Sequence, residues 1–318
     1  MNSTTTDRFD TSRFEASRNR LASLAYRLLG SAADAEDAVQ DTFLHWQAAD
    51  RQRIKVPEAW LTKVVTNLCL DRLRSAQARR ERTSGAWLPE PLLDGDPMLD
   101  PADTFEQRES VSLAVLTLME RLSPIERAVY LLREAFSYSH AEIADILDIN
   151  ESASQQHLHR ARGRITVASR RGGGEVDPAS ARRIVEEFLA AASSGHTERL
   201  VALLTDDATA ISDGAGLTKT LLQYDTPQRI AAVARAGFKP TPAKRRLAGG
   251  TPAVHYALVN GAPAILFVLG DQVVGAVTFD ITGGKIATVR GIAAPARLTH
   301  LTEAWRRHEP DTPLIPQW

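Results

Sequence analysis

Residues 34–46 read DAEDAVQDTFLHW. Wound as a helix at about 100° per residue, the stretch puts Asp37, Gln40, Asp41 and Leu44 on one face and Ala35, Val39, Thr42, Phe43 and Trp46 on the opposite one. The apolar face requires a core to cover it. The acidic face stays exposed, either as a plain solvated surface or as a surface for docking.

The helical period extends to both sides. Upstream, Phe14, Leu21, Leu24 and Leu28 fall on one stripe until Gly30 breaks the run. Downstream, after a loop over 50–56, Pro57 stands where a helix can begin. The following PEAWLTKVVTNLCLDRLR places Leu61, Val64, Val65 and Leu68 on one face and Lys63, Asn67 and Arg74 on the other. Three or four helices around one core are therefore expected within residues 1–82. Residues 83–104 are rich in Pro, Gly and Asp and read as an interdomain linker. Trp87 and Leu88 are greasy for a free tether; they either rest on a neighbouring domain or are incidental.

Residues 105–171 return to a helical rhythm. Ser123-Pro124-Ile125-Glu126 has the form of a helix start, with Ser123 as N-cap, proline at the first position and Glu126 closing a capping box. Two short helices follow, Ser139 to Leu147 and about Glu151 to Arg164, joined by a tight turn at 148–150. Ile143, Ile146, Leu147, Leu158, Ala161 and Ile165 can pack them together as a helix-turn-helix. On the second helix Gln156, His159 and Arg160 face outward, with Gln155 and His157 at the flanks. Amides and arginine can reach base edges bidentately, and a solvated basic helix is the competing reading.

Charge and composition narrow the classes. The 318 residues carry 38 basic and 39 acidic side chains, so the chain as a whole lacks the field of a protein that coats nucleic acid unaided. The charge is uneven, with five arginines against one acid between Arg72 and Arg82 and again between Glu151 and Arg171. Two basic patches on a neutral chain fit local nucleic-acid contacts made effective by a larger partner. No apolar run approaches the roughly 20 residues of a membrane span, and Met1 to Arg20 has no signal-peptide apolar region. A cytoplasmic protein with no membrane contact is expected. The single cysteine, Cys69, lies in an apolar helical stretch and reads as core filler; no cofactor or metal site is expected.

After a glycine-rich break at 172–177 the composition changes. Residues 178–318 begin with an amphipathic helix, Pro178 to Ser194, with Ile184, Val185, Phe188 and Leu189 inward. A helix from Pro227 to Ala236 and four β-rich runs follow: AVHYALV, AILFVLG, VVGAVTFDI and KIATVRGI. Asn-Gly, Gly-Asp and Gly-Gly turns separate the runs. Helices followed by an antiparallel meander describe an α+β sheet curled over helices.

The two helical blocks together resemble bacterial extracytoplasmic-function (ECF) sigma factors of the sigma-70 superfamily. AYRLLGSAADAEDAVQDTFLHW and PEAWLTKVVTNLCLDRLR look like region 2, and residues 122–165 look like the helix-turn-helix of region 4. The resemblance implies a multidomain protein: two all-α sigma domains that bind core RNA polymerase, at its β′ clamp helices and β flap, and promoter DNA. It implies polymerase contacts at Asp37, Gln40, Asp41 and Leu44. It implies −10 contacts at Trp60, Lys63, Asn67, Arg72 and Arg74, and −35 contacts at Gln155, Gln156, His157, His159 and Arg160. Trp60 can equally be a core residue at a helix start, and Asp71 with Arg74 a simple surface pair.

TERLVALLTDDATAISDGAG (197–216) resembles SnoaL-like domains of the NTF2 superfamily, whose cone often encloses a pocket for a small molecule. Sigma factors with this extension form a SigJ-like subgroup, in which three segments are linked to control of activity by the extension. Here these are Trp87-Leu88-Pro89-Glu90-Pro91-Leu92, the loop Asp213-Gly214-Ala215-Gly216 with Lys219 displaced, and Ala294-Pro295-Ala296-Arg297-Leu298. The resemblance thus implies a non-enzymatic promoter-specificity factor controlled in cis by its C-terminal domain. Two alternatives stand beside it. The tail could be an isomerase- or cyclase-type enzyme, with Asp213, His255 or Asp280 as base, or the chain could be a ligand-sensing DNA-binding regulator that works without polymerase.

Overall fold

The computed structural model describes residues 3–80, 88–99, 111–169, 177–218 and 220–318. Side chains are described over the same ranges apart from 3–11, 76–80, 166–169 and 247. The chain forms two compact units, Met1–Thr83 with Gly95–Val167, and Ser84–Asp94 with Ala168–Trp318. Among the described residues, no helix is long and apolar enough to cross a membrane.

The first unit is helical: α1 (Ser3–Leu29), α2 (Ala32–Ala48), α3 (Pro57–Arg80), α4 (Leu113–Met119), α5 (Pro124–Glu134), α6 (His140–Leu147) and α7 (Glu151–Ser169). Gly30, at φ 63°, ends α1 in the left-handed conformation that costs glycine nothing. Ser31 then caps α2 by accepting from the Asp34 amide at 3.2 Å. Leu21, Leu24, Tyr26, Leu28, Ala35, Val39, Trp46, Leu61 and Val65 are buried. The buried stripe of α3 runs through Leu61, Thr62, Val65, Thr66, Cys69 and Leu70, while Val64 and Leu68 are only half-buried. Because α3 contacts both α1 and α2, two small threonines and the cysteine face the core where the apolar pattern pointed to Val64 and Leu68. Burial pushes the Cys69 thiol far above its ordinary pKa, with Arg72 opposing and Asp34 adding to the shift.

The capping box at Ser123 and Glu126 is present, and a second one joins Ser139 to Glu142. Asp148, at φ 53°, makes the left-handed turn between α6 and α7. Arg127 is buried on α5; its guanidinium donates to the Met119 carbonyl at 2.7 and 3.1 Å, to the Leu28 carbonyl at 2.8 Å and to Glu120 at 2.7 Å. It thus satisfies open carbonyls at the ends of both α1 and α4.

The second unit contains α8 (Pro178–Ser194), α9 (Thr197–Leu203), β1 (Leu204–Ser212), β2 (Leu222–Tyr224), α10 (Pro227–Phe238) and α11 (Pro242–Ala248). After these come β3 (Ala253–Val259), β4 (Ala262–Leu269), β5 (Gln272–Thr282), β6 (Lys285–Ile292) and α12 (Pro295–Trp305). The sheet order is β2-β1-β6-β5-β4-β3. The expected meander is β3 to β6, all antiparallel, while β1 pairs with β6 in parallel. Asn260-Gly261, both at positive φ, make the β3–β4 turn. Phe188 of α8 is fully buried and meets Phe238 and Phe279 edge-on, with ring centroids 5.7 and 5.0 Å apart. Strands β1 and β2 and helices α9, α11 and α12 do not follow from the local pattern: β1 carries Thr-Asp-Asp near its start, and α11 is short and basic.

Between β1 and β2, three successive residues are left-handed: Gly214 at φ 58°, Ala215 at 58° and Gly216 at 73°. The Asp213 carboxylate holds them by accepting from the Ala215 amide at 3.0 Å. For alanine this conformation costs about 1–2 kcal/mol, part of which a glycine returns through its freer unfolded chain. Ala215→Gly is therefore expected to raise the unfolding free energy of this unit by about 0.5–1 kcal/mol, measured by chemical denaturation.

Candidate functional site

The acidic face of α2 is organised by one guanidinium. Arg72 of α3 donates to Asp41 at 2.8 Å and lies 3.7 Å from both Asp34 and Asp37, and it also reaches the Asp34 carbonyl at 3.2 Å. One cation among three carboxylates leaves the face net negative and pins its side chains. Gln40 and Leu44 complete it, Leu44 with 55% of its surface exposed. Arg72, implied as a −10 contact, is here paired with the acidic array.

The opposite end of α3 carries Trp60, half-buried with its ring 5.6 Å from Trp46. Beside it residues 49–56 frame an open recess of about 570 Å³, lined by Arg53, Lys55 and the exposed Val56. Lys63 is engaged by the α6–α7 turn, donating to Asp148 at 2.6 Å and to the Asp145 carbonyl at 2.8 Å. Next to it, the Thr62 and Tyr138 hydroxyls are 3.1 Å apart, and Arg20 lies over the Tyr138 and Phe136 rings. Asn67 is half-buried, and Arg74 makes an exposed pair with Asp71 at 3.0 Å, a contact of little energetic weight.

On α7, Gln155, Gln156, His159 and Arg160 are exposed and His157 is half-buried. Asn150 caps the helix through the Ala153 amide at 2.7 Å. Arg160 donates to Glu126 at 3.1 Å and pairs with His157 at 2.9 Å, and Arg164 donates to the other Glu126 oxygen at 2.7 Å. Burial and the Arg160 charge lower the pKa of His157, with Glu126 opposing, so a neutral ring is favoured. The buried Glu126 carboxyl is raised by burial. It is lowered by more through its Ser123 bonds and the two arginines, and it ends below its ordinary range.

The segment following Trp87, a residue outside those described, is built into the second unit. Leu88, Pro89, Pro91, Leu92 and Leu93 are buried and Glu90 is half-buried. Leu92 and Asn260 exchange bonds: the Leu92 amide donates to the Asn260 side chain at 2.8 Å, and the Asn260 amide donates to the Leu92 carbonyl at 2.9 Å. The Asp94 amide donates to the Leu258 carbonyl at 3.0 Å, and the Asp94 side chain accepts from Gly261 at 2.8 Å. Arg297 of α12 donates to the Leu88 carbonyl. Immediately before α12, the amides of Ala293 and Ala294 donate to Asp213 at 3.0 and 2.9 Å. Gly216 lies against Ala294, Leu298 is buried, and Pro295 is exposed at the helix start; Lys219 is outside the described residues. Asp213, Gly214, Gly216, Pro295, Arg297, Leu298 and the described part of residues 87–92 therefore lie in one unit.

Two of the three candidate bases are otherwise occupied. Asp213 is spent on three backbone amides. Asp280 forms a bidentate pair with the buried Arg290 at 2.8 and 2.7 Å. His255 sits against Trp305 with ring centroids 5.0 Å apart, and burial lowers its pKa, aided by His308. The unit has a cavity of about 700 Å³, and neither Asp213, His255 nor Asp280 lines it.

Residues 13–79 match the sigma-70 region 2 family and residues 112–165 the sigma-70 region 4 family. The chain is 40% identical over 214 residues to ECF RNA polymerase sigma factor SigJ of Mycobacterium tuberculosis, covering 67% of this chain and 68% of that protein. The chain belongs to the ECF sigma factors. Its likeness to the M. tuberculosis protein "Probable ECF RNA polymerase sigma factor SigI" is 31% identity over 293 residues, 91% of this chain and 94% of the relative. The crystal structure of M. tuberculosis SigJ superposes with a TM-score of 0.68 at 30% identity, covering 91% of this chain and 98% of that one. As an ECF sigma factor of the SigJ type, the chain joins two sigma modules to a C-terminal α+β unit.

Several residues of this ECF sigma factor escaped the sequence reading. Arg53, Lys55 and Val56 lie in the loop over 50–56, where the basic run RQRIK before Pro57 is the usable signal. Asn260 was read only as a turn residue, and nothing local marks its side chain as the acceptor for Leu92. The Glu126 network yields a pH prediction. A carboxyl with a depressed folded pKa contributes stability above its ordinary value, near 4.3, and loses it as pH falls through the folded value. Melting of the wild type should thus drop faster as pH falls below about 4.5 than that of Glu126→Gln, which at neutral pH is expected to be about 1–3 kcal/mol less stable.

Proposed function

We propose that this ECF sigma factor docks on the polymerase β′ clamp helices through Asp37, Gln40, Asp41 and Leu44, with Arg72 fastening the carboxylates in register. A preset negative array facing cationic side chains steers assembly and excludes wrong partners more than it adds affinity. The −10 element is held by Trp60, Lys63, Asn67 and Arg74. The open recess at 49–56 can admit an unstacked base, whose extrusion costs a few kcal/mol that stacking and phosphate contacts must offset. The −35 element is read by α7 through Gln155, Gln156, His159 and Arg160, with His157 orienting Arg160 and the β flap receiving region 4. Lys63 must leave Asp148, and Arg160 must loosen from Glu126, before either reaches DNA. The working compartment is the cytoplasm, where polymerase and promoter are.

The NTF2-like unit acts in cis as a regulator and carries no catalysis of its own. The observation behind this reading is that residues 88–94, which lie in sequence between regions 2 and 4, are held by backbone and side-chain bonds from the β3–β4 turn and α12. A sigma factor whose intermodule segment is gripped by its own extension needs no separate inhibitor to restrain it. The occupied state of Asp213 and Asp280 supports regulation over an acid-base enzyme.

Run-off transcription with core polymerase and the protein's own promoter tests the reading. Reversal of Asp37 and Asp41 to lysine is expected to abolish co-migration with core enzyme while leaving the fold, followed by circular dichroism, intact; undiminished binding would refute the docking face. Asn260→Ala removes the side-chain acceptor for Leu92 at a cost of about 1–3 kcal/mol to that contact. It should raise run-off output at equal protein concentration, and unchanged output would refute control through residues 88–94.

A further inference from the structure

The β3–β4 turn carries a chemically reactive pair of residues. The chain has five asparagines, at 2, 19, 67, 150 and 260, and Asn260 alone is followed by glycine. In an Asn-Gly pair the glycine nitrogen can reach the asparagine side-chain carbonyl carbon with no following side chain in the way. Around Gly261 nothing stands within 4 Å of where a Cβ would be. The new nitrogen–carbon bond closes a succinimide ring as the side-chain carbon–nitrogen bond breaks and ammonia leaves. Water then opens the ring to aspartate or, more often, to isoaspartate. The reaction needs no oxidant, metal or enzyme.

Both reacting groups are held by residues 92–94. Asn260 is 2% exposed; its side-chain oxygen accepts from the Leu92 amide at 2.8 Å, and its own amide donates to the Leu92 carbonyl at 2.9 Å. The Gly261 amide, whose nitrogen is the nucleophile, donates to the Asp94 carboxylate at 2.8 Å. An amide nitrogen attacks only after losing its proton, and a carboxylate seated on that proton opposes the loss. The turn adds a second barrier. Asn260 and Gly261 stand at φ 51° and 73°, and the ring closes only after the backbone at 260 rotates out of that left-handed geometry. The reaction therefore runs from the released state, at a rate set by how often residues 92–94 let go.

Neither product restores the grip. Isoaspartate routes the main chain through the side-chain methylene, one carbon longer in a two-residue turn that must close between Val259 and Ala262. Aspartate keeps the length but sets a carboxylate where almost no water reaches, beside the amide that the Asp94 carboxylate already holds. It also loses both donor protons of the amide it replaces.

We propose that Asn260-Gly261 is a spontaneous deamidation site guarded by Leu92 and Asp94, that release of residues 88–94 opens it, and that the reaction makes the release permanent. A consequence for transcription rests on the reading of this segment as the point of control; the chemistry does not. A chain held open long enough stays open.

Peptide mass spectrometry of the full chain, incubated at mildly alkaline pH, reads the amide-to-acid conversion, and labelling by an isoaspartyl methyltransferase reads the isomer. In the folded wild type, conversion at Asn260 should run at least about tenfold slower than in the same chain held in denaturant. Asp94→Ala, at an exposed position, should speed it at least about threefold over the folded wild type, with Asn67 and Asn150 unchanged. If Asp94→Ala does not fold, Asp94→Ser decides by the same measure. Asn260→Asp, which installs one of the two products, should raise amide exchange over 88–94 at least about threefold. Equal rates in the folded and denatured chain, a wild-type rate in the Asp94 variant, or wild-type exchange in Asn260→Asp would each overturn the proposal. Because neither transcription nor polymerase binding is measured, these outcomes are separate from failure of the sigma reading itself.

Discussion

A peptide group buried away from water must find a hydrogen-bonding partner, and residues 88–94 meet that requirement inside the C-terminal α+β unit. Proline at 89 and 91 removes two donors, and the amides of Leu92 and Asp94 are supplied by Asn260 and Leu258. Five buried apolar side chains accompany them, so the segment is integrated into that unit as firmly as a short edge strand. What would otherwise be a tether between two sigma modules is thereby a structural part of the extension.

The charged residues of the helical unit follow a common logic. Arg72 sits among three carboxylates, Lys63 on the α6–α7 turn, and Arg160 and Arg164 on Glu126. The first two are exposed pairs of small weight, whereas the Glu126 carboxylate, with 5% of its side chain exposed, loses more when its arginines leave. Arg127 is different. It is buried with four carbonyl and carboxylate bonds, and removal of its partners would leave a charge in a low-dielectric interior. In the second unit, the buried Arg290 is likewise paired with the half-buried Asp280 on the neighbouring strand.

The α12 helix unites the features of the second unit. Its entry is pinned by Asp213, one side lines the cavity, and Arg297 reaches the segment between the sigma modules. The left-handed run at 214–216 exists because the chain must turn sharply for the Asp213 carboxylate to meet the Ala293 and Ala294 amides. Glycine at 214 and 216 makes that turn cheap, and Ala215 is the strained member.

Much of this was legible in the linear order of residues, because it depends on local periodicity and local caps. The amphipathic α2, the Pro57 and Pro124 helix starts, the Ser123–Glu126 box, the helix-turn-helix and the four-strand meander with its glycine turns all arise from interactions within about ten residues. The exposed faces carrying Asp37, Gln156 and His159 follow from the same helical geometry. Long-range pairing lay beyond such reading. Arg72 finds Asp41 across 31 positions, Leu92 finds Asn260 across 168 and Arg297 finds Leu88 across 209. A side chain's partner at that separation is set by which elements pack together, and the polar β1 and the charged α12 take their form from packing rather than propensity. The sequence could say that a neutral chain carries two helical readers and a cone; folding assigned its arginines, its greasy linker and its aromatic cavity to their places.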